Sequence, residues 1–298
     1  MTMTRSGFLD LLVEGLSKVF YDQYKDYPAK YKEVYRVEKS NKYKETLHSV
    51  APLGAFAQKA EGTSIEYADM SDGYEKDFTH TAWARGLRFT RELVDDELYG
   101  VMRDRTKQLA RAGMITQETQ HAKLFNYATV NTYFAGQDGL SLLNDSHTYA
   151  DNTGTWDNYS ASTDLSLSAL ETAFNAMRRY KDDKGNLIMV EPKYLLIPPE
   201  LEFDAYEILN SSGKPYTADN ETNYFKGRLE VIVWPYLSVD TGMWFVLSDD
   251  KSIWPVSYQR VPMEFKNDSD FDTMDLKVSA YCRFSNGFFD PRFCYGGT

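Results

Sequence analysis

The fold is decided by the longest regular pattern in the sequence, residues 91–128, which read RELVDDELYGVMRDRTKQLARAGMITQETQHAKLFNYA. Apolar or small residues recur there at the spacing of one face of an α-helix, with an interruption at Arg105. At about 1.5 Å per residue, an unbroken helix would span about 57 Å, more than most helices of globular domains. We expect a bend at Gly113. The predicted apolar face consists of Val94, Leu98, Val101, Leu109, Ala112, Ile115, Thr119, Ala122 and Phe125.

Another amphipathic helix is predicted upstream, over residues 5–27. Thr4 or Ser6 can cap its start, and Pro28 ends it. A helix with a single apolar stripe must pack on something, either its own domain or a neighbouring chain. The stripe consists of Phe8, Leu11, Leu12, Leu16, Val19, Phe20 and Tyr24.

Residues 33–89, between these helices, show no sustained helical period. Short extended stretches alternate with polar turns, and apolar residues are sparse. Such a segment cannot bury much of its own surface. It is either a long mobile loop or an extended hairpin that becomes ordered by lying on another subunit. The predicted strands are residues 34–37, 43–47, 64–67 and 75–81.

The rest of the chain alternates helices with strands, which predicts a mixed α/β unit. Ser168 and Glu171 form a capping box for one helix, and Pro199 opens the next. Six apolar residues alternate with polar ones from Met274 to Phe284, which predicts a long half-buried strand containing Cys282 as a core residue. Further strands are predicted at residues 194–197, 229–233 and 243–247.

Composition excludes several classes of protein. The net charge of −11 argues against a tight nucleic-acid binder, which needs a basic surface. The only two cysteines, Cys282 and Cys294, exclude a disulfide-built scaffold. The longest apolar runs are far shorter than the roughly 20 residues of a membrane helix, so we expect a soluble protein without a membrane partner.

No motif predicts catalysis, a cofactor or a metal. The histidines, His48, His80, His121 and His147, are too far apart in sequence for a zinc-site spacing. Residues 268–279 resemble the start of a calcium loop but lack its central glycine and its final glutamate. Phosphate-binding and hydrolase signatures are absent from the sequence. We therefore predict no catalytic, cofactor-binding or metal-binding residue and no enzyme activity.

The order of these elements resembles the major capsid proteins of tailed bacteriophages, which have the Johnson fold. Three stretches carry the likeness and are closest to the Mu-like major head subunits. They are WARGLRFTREL at residues 83–93, YLLIPPELE at residues 194–202, and LEVIVWPYL at residues 229–237, the last followed by WFVL at residues 244–247.

The resemblance implies an α+β fold with four parts. Residues 1–29 would form an N-terminal arm that clasps an adjacent subunit, and residues 30–89 an extended β-hairpin loop lying across a neighbour. Residues 90–162 and 259–298 would form a peripheral domain with the long spine helix. Residues 163–258 would form an axial α/β domain, whose loops meet around five- and six-fold axes.

The resemblance also implies a function. The chain would self-assemble through hexamers and pentamers into the icosahedral shell around the double-stranded DNA of a tailed phage or prophage. It would contact the packaged DNA weakly and without sequence specificity. The shell would assemble in the cytoplasm of the bacterial host and remain in the virion. Because the arm begins close to Met1, we expect a separate scaffolding protein, and also a portal.

Three alternatives stay open at this stage: an encapsulin-like nanocompartment shell, an intracellular α/β enzyme with an acidic cleft, and a tail or baseplate module. Some capsid relatives form isopeptide cross-links between a hairpin lysine and an asparagine of a neighbour. Nothing in the sequence singles out a pair for this reaction. The available residues are Lys39, Lys42, Lys44, Asn267 and Asn286.

Overall fold

A computed structural model describes residues 5–50, 72–96, 99–150, 154–211, 222–270 and 272–298, with residues 52–54, 56, 58–65, 67 and 213. The side chains of residues 5–12 and 72 are not part of this description. Of the predicted apolar positions, Phe8, Leu11, Leu12 and Leu98 therefore lie outside the described residues.

The helices are α1 (Arg5–Asp26), α2 (Tyr31–Val34), α3 (Arg91–Asp95), α4 (Tyr99–Asn126), α5 (Leu167–Met177) and α6 (Glu202–Asn210). The strands are β1 (Arg36–Lys39), β2 (Lys44–Val50), β3 (Asp72–Thr79), β4 (Thr81–Phe89), β5 (His147–Thr148), β6 (Thr155–Trp156), β7 (Tyr159–Ser160), β8 (Pro192–Ile197), β9 (Glu230–Val233), β10 (Trp244–Ser248), β11 (Val256–Ser269), β12 (Leu276–Gly287) and β13 (Cys294–Gly297).

The first large sheet has the strand order β1-β11-β12-β4. Its centre is the long antiparallel pair of β11 and β12, which β4 extends on one side and β1 on the other. Burial alternates along most of β12 because successive side chains of a strand point to opposite faces. The buried face packs against α1 and α4, and the shared core is Leu16, Phe20, Phe89, Met102, Leu109, Ala110, Met263, Leu276, Val278, Ala280, Cys282 and Phe284.

The second large sheet has the order β7-β13-β10-β8-β9. Its central strand, β10, is buried along its whole length because both faces of the sheet are covered. Phe245 and Leu247 point to the core shared with the end of α4, whereas Trp244 and Val246 point to the core under α5 and α6. Helix α5 begins after Ser166, whose hydroxyl accepts the Ala169 N–H at 3.2 Å, and not with the predicted capping box.

One buried carboxyl connects α4 to the rest of the chain. The Glu118 side chain accepts from Trp234 Nε1 at 2.7 Å and from the backbone N–H of Tyr31 at 3.3 Å. Trp234 follows β9, and Tyr31 begins α2, so Glu118 fixes the second sheet and the entry to β1 against the same helix. Burial raises the pKa of Glu118.

The long helix departs from its prediction in two ways. Its first part, α3, ends at Asp95, and α4 is described from Tyr99, since residues 97 and 98 lie outside the described residues. It also continues as α-helix through Gly113, where a bend was expected. A Cβ atom at Gly113 would lie 2.7 Å from Met263 Cε, so this glycine permits close contact with β11.

The apolar face of α4 also differs from the predicted one. Leu109, Ala122 and Phe125 are buried as predicted, but Val101 and Ile115 are exposed. Polar residues occupy buried positions that the apolar pattern did not mark, because they form hydrogen bonds to other elements or, for Thr106, to the Met102 carbonyl of the same helix. These residues are Thr106, Gln117, Glu118 and His121.

Helix α1 has almost the predicted bounds but a different partner. Leu16 and Phe20 are 1% and 0% exposed, and both are buried against α4 and the first sheet of their own chain. Tyr24 adds a hydrogen bond from its hydroxyl to Gln117 Oε1 at 2.9 Å. The expectation that this stripe is buried between chains is therefore wrong for its described residues.

The C-terminal strand joins the second sheet. Strand β13, which lies within the residues 259–298 assigned to the peripheral domain by the resemblance, pairs with β10. A Cβ atom at Gly297 would lie 2.7 Å from the Trp244 ring, so only a strand with glycine there fits this close. In the N-terminal third, the described residues of 64–67 form no strand, and β1 starts only after α2.

Candidate assembly interface

The hairpin, defined here as the described residues of 40–80, belongs to neither large sheet, although Phe78 packs against Val256 and Tyr258 of the first one. Its strands β2 and β3 pair antiparallel, with Lys44 opposite Thr79, and form a sheet of their own. The strand then breaks at His80 before β4 enters the first sheet. The loop was predicted over residues 30–89, but of the strands described there only β2 and β3 form a separate hairpin, since β1 and β4 belong to the first large sheet. The break at His80 marks the base of the hairpin.

A buried hydrogen-bond network fixes this base. The Ser40 hydroxyl donates to Glu45 Oε1 at 2.7 Å and lies 3.0 Å from His80 Nε2, while His80 Nδ1 lies 2.9 Å from the Ser285 hydroxyl. Because a carboxylate only accepts, Ser40 uses its proton on Glu45 and accepts from His80 Nε2–H. His80 Nδ1 then accepts from Ser285. Burial lowers the pKa of His80, which keeps the ring neutral, as this arrangement requires.

Lys76 of β3 provides the second attachment of the hairpin. Its ammonium donates to the carbonyl of Phe288 at 2.7 Å and to that of Ala135, and it lies over the rings of Phe78 and Phe288. Desolvation lowers the pKa of Lys76 to about 8, so the ammonium still predominates at neutral pH. The base of the hairpin is thus held by contacts within one chain.

The rest of the hairpin exposes apolar side chains. Phe56 and Tyr67 are 101% and 88% exposed, and they lie in the segment between β2 and β3. Leaving large apolar groups in water forgoes about 25 cal/mol per Å² of burial. A patch of this kind is typical of a surface that another protein covers. The further exposed apolar residues of the hairpin are Tyr43, Val50, Leu53 and Ile65.

A second exposed apolar surface lies beside the second sheet. Phe203 and Tyr206 are 80% and 67% exposed, and their spacing of three places them on one face of α6. Met189, in the turn before β8, is 80% exposed with a left-handed backbone at φ 53°. These residues and those of the hairpin have the largest exposed fractions among the large apolar side chains of the described chain.

An acidic cavity of about 550 Å³ separates the hairpin from the second sheet. It is the obvious place for the catalytic cleft of the enzyme alternative. However, its carboxylates are engaged, since most form ion pairs and Asp182 accepts the backbone N–H groups of Lys184 and Asn186. The pairs are Asp183–Arg292 at 2.8 Å, Asp290–Arg292 at 3.0 Å, Glu191–Arg178 at 2.8 Å and Asp249–Lys193 at 2.8 Å.

The other residues considered from sequence are scattered. His121 is buried between Tyr31 and Phe284, and His147 pairs with Asp138 at 2.6 Å. Both cysteines are buried and free, and burial raises the pKa of each thiol. In the described part of the chain, no three His, Cys, Asp or Glu side chains are grouped to hold a metal, and no helix is long and apolar enough to cross a membrane.

Several of the residues considered for cross-linking and calcium binding have local partners. The Lys42 ammonium pairs with Glu45 at 3.1 Å, and that of Lys44 with Asp77 at 2.6 Å. Asn286 donates to the carbonyl of Gln120 at 3.0 Å. Asp270 accepts the N–H of Asp272 and closes the turn between β11 and β12.

The family model of the phage capsid proteins matches residues 73–296. This chain belongs to that family. The match covers α4, nearly all of the second strand of the hairpin, and both large sheets except β1 and the last residue of β13. The search of curated proteins, by contrast, finds no match.

Solved capsid structures share the fold. The chain is similar to one from the bacteriophage JBD30 capsid, with 16% identity, a TM-score of 0.56, and coverage of 71% of this chain and 92% of that one. It is also similar to a chain from Microbacterium phage Oxtober96, with 10% identity, a TM-score of 0.55, and coverage of 90% of this chain and 90% of that one. A third similar chain comes from a virus-like particle of Pyrococcus furiosus, with 9% identity, a TM-score of 0.54, and coverage of 96% of this chain and 99% of that one.

These findings confirm the Johnson fold and the capsid assignment. The protein is a major capsid shell protein, located in the virion, and its family and fold are those of a structural protein. The nanocompartment and enzyme alternatives are not favoured. Membership of the Mu-like subset stays a prediction, as do the exact domain limits.

Proposed function

We propose that copies of this chain assemble through the hairpin, residues 40–80, into hexamers and pentamers of an icosahedral shell around double-stranded DNA. The observation that carries the proposal is the contrast within the hairpin. Its base is fixed by His80 and Lys76, whereas its outer part exposes Phe56 and Tyr67. A segment that is anchored at one end and uncovered at the other suits a contact with the next subunit.

The energy of this contact favours assembly. Phe and Tyr side chains each bury 150–250 Å² at most, so covering both would contribute several kcal/mol before the cost of association. Aromatic residues are also those most often found at the centres of protein interfaces. Because each shell repeats the same contact many times, a modest contribution per subunit is enough to close a shell.

We further propose the partners that such a shell requires. A separate scaffolding protein would guide its curvature, and a portal would occupy one vertex. The packaged DNA would be held weakly and without sequence specificity, in keeping with the net charge of −11. Assembly would take place in the cytoplasm of a bacterial host, and the chain would perform no catalysis.

Electron microscopy of the purified full-length chain tests this proposal. We expect rings of five or six subunits at low concentration and closed shells at high concentration, or when a scaffold is added. A chain that remains a single subunit under all these conditions would contradict it.

A further inference from the structure

The N-terminal half of α4 carries a stripe of exposed basic residues, defined here as Arg103, Lys107 and Arg111. Their spacing of four residues places them on one face of the helix, with successive side chains about 6 Å apart along the axis. The stripe is therefore about 12 Å long. Arg105 is also exposed and lies to one side of it.

The charge of α4 is opposite to that of the whole protein. The helix contains five basic residues, Arg103, Arg105, Lys107, Arg111 and Lys123, and two acidic ones, Asp104 and Glu118, so its formal charge is 5 − 2 = +3. The whole chain carries −11, so the remainder carries −11 − 3 = −14. Positive charge is thus concentrated where the rest of the protein is strongly negative.

Carboxylates of the same chain do little to neutralise the stripe. Among the described residues, the ion pair recorded for it joins Lys107 to Asp104 at 3.9 Å, with both side chains largely exposed. The acidic residues ahead of α4 include Asp95, which pairs with Arg91 at 3.3 Å. Exposed pairs are weak because water and salt screen them. The stripe therefore remains available to an external anion.

The stripe is charged, whereas the exposed surface of the hairpin is apolar, so the two surfaces suit different partners. Protein interfaces have apolar centres that combine aromatic residues with single arginines and from which lysine is depleted. The hairpin has such an apolar surface, but the stripe has charged side chains along its length and one apolar residue, Ile115, at its end. Regularly spaced cations suit a polyanion with regularly spaced charges, and the duplex carries one phosphate per about 3.4 Å of each strand.

We infer that Arg103, Lys107 and Arg111 form the contact between this subunit and the phosphate backbone of the enclosed DNA, so that this face of α4 lines the inside of the shell. The inference rests on the proposed function, and it names the surface that meets the DNA. The contact is nonspecific, since the stripe offers charge to phosphates and no element to reach base edges. A few such contacts per subunit hold DNA weakly, whatever the net charge of the chain.

Binding of a labelled duplex of about 30 base pairs to the full-length chain, measured between about 50 and 200 mM salt, tests the inference. The variant Arg103→Gln/Lys107→Gln/Arg111→Gln removes the stripe while keeping good helix formers. The matched control, Arg179→Gln/Lys181→Gln/Lys184→Gln, removes three exposed charges beside the second sheet. Each single stripe substitution is measured as well, in case the triple variant does not fold.

We expect the stripe variant to bind the duplex at least about tenfold more weakly at low salt, and the slope of log K against log salt to fall by about 3. Each single substitution lowers the slope by about 1, and the control leaves it unchanged. The inference is overturned if the wild-type chain binds no duplex, if stripe and control variants behave alike, or if the stripe variant loses only its ability to assemble. If the inference is overturned but the chain still assembles into shells, the proposed function remains intact.

Discussion

Helix α1 and the hairpin were both expected to reach neighbouring subunits, yet their apolar side chains differ in burial. Phe20 of α1 is 0% exposed and packs within its own chain, while Phe56 of the hairpin is 101% exposed. One Phe is covered by its own chain, and the other is not. The comparison shows that an apolar side chain alone does not indicate an interface, because what matters is whether its own chain can cover it.

The difference follows from the partners that each segment finds. Helix α1 meets the long helix α4, and the two together cover one face of the first sheet. The hairpin strands form a sheet of two, which cannot bury both of its faces, and the described residues between them leave Phe56 and Tyr67 uncovered. Under the proposed function, the hairpin gains its cover on assembly, whereas α1 already has cover within its own chain.

The largest expected effect comes from Phe20→Ala. Removing a fully buried Phe should lower the free energy of unfolding of the unassembled subunit by about 3–5 kcal/mol. Urea denaturation of the single subunit measures this. If Phe20 instead served a contact between chains, the unassembled subunit would be as stable as the wild type.

A smaller loss of stability is expected when the pH is lowered, because His121 is buried. This side chain packs beside Tyr31, a residue that follows α1 in the chain. Burial lowers the pKa of His121 to about 4, from about 6.5 in the unfolded chain. Between these values the unfolded chain binds the proton and the folded chain does not, so stability falls as the pH falls. The loss by pH 5 should be about 2 kcal/mol.

Denaturation curves of the single subunit at pH 7 and pH 5 measure the His121 effect, compared with the variant His121→Gln. This variant cannot titrate at that position, so its stability should change less over the same interval. An equal change in both proteins would show that other groups, such as His80, account for the pH dependence.

Ser40→Ala should have a still smaller effect, at the base of the hairpin. It removes the hydroxyl that accepts from His80 and donates to Glu45, which should cost about 1–2 kcal/mol. The change should increase amide exchange in β2 and β3 more than in α1. An equal increase in amide exchange throughout the subunit would argue against a hairpin that is fixed separately at its base.

The sequence predicted much of the fold because long periodic patterns dominate it. The alternation in β12 and the extent of α1 are readable from residue order alone, and so is the presence of a long helix, although not the end of α3 at Asp95. Cys282 could be placed in the core for the same reason, since it falls on the apolar side of β12. The order of elements then sufficed to identify the capsid fold.

The polar core of α4 could not be predicted in this way. Gln117, Glu118 and His121 are buried because partners distant in sequence satisfy them, for example Trp234 for Glu118, whereas the buried Thr106 donates to Met102 O of its own helix. A pattern search treats such residues as solvent-facing. The base of the hairpin was missed for the same reason, since Ser40, His80 and Ser285 meet only in the folded chain.

The most direct test of the central claim is the assembly of the variant Phe56→Ser/Tyr67→Ser, compared with Gln58→Ser/Lys59→Ser as a control in the same hairpin. The four side chains are exposed, so both variants should unfold within about 0.5 kcal/mol of the wild type. Sedimentation velocity should find folded single subunits for the aromatic variant, and rings or shells for the control and the wild type. Assembly of the aromatic variant at the wild-type concentration would contradict the claim that the hairpin joins the subunits.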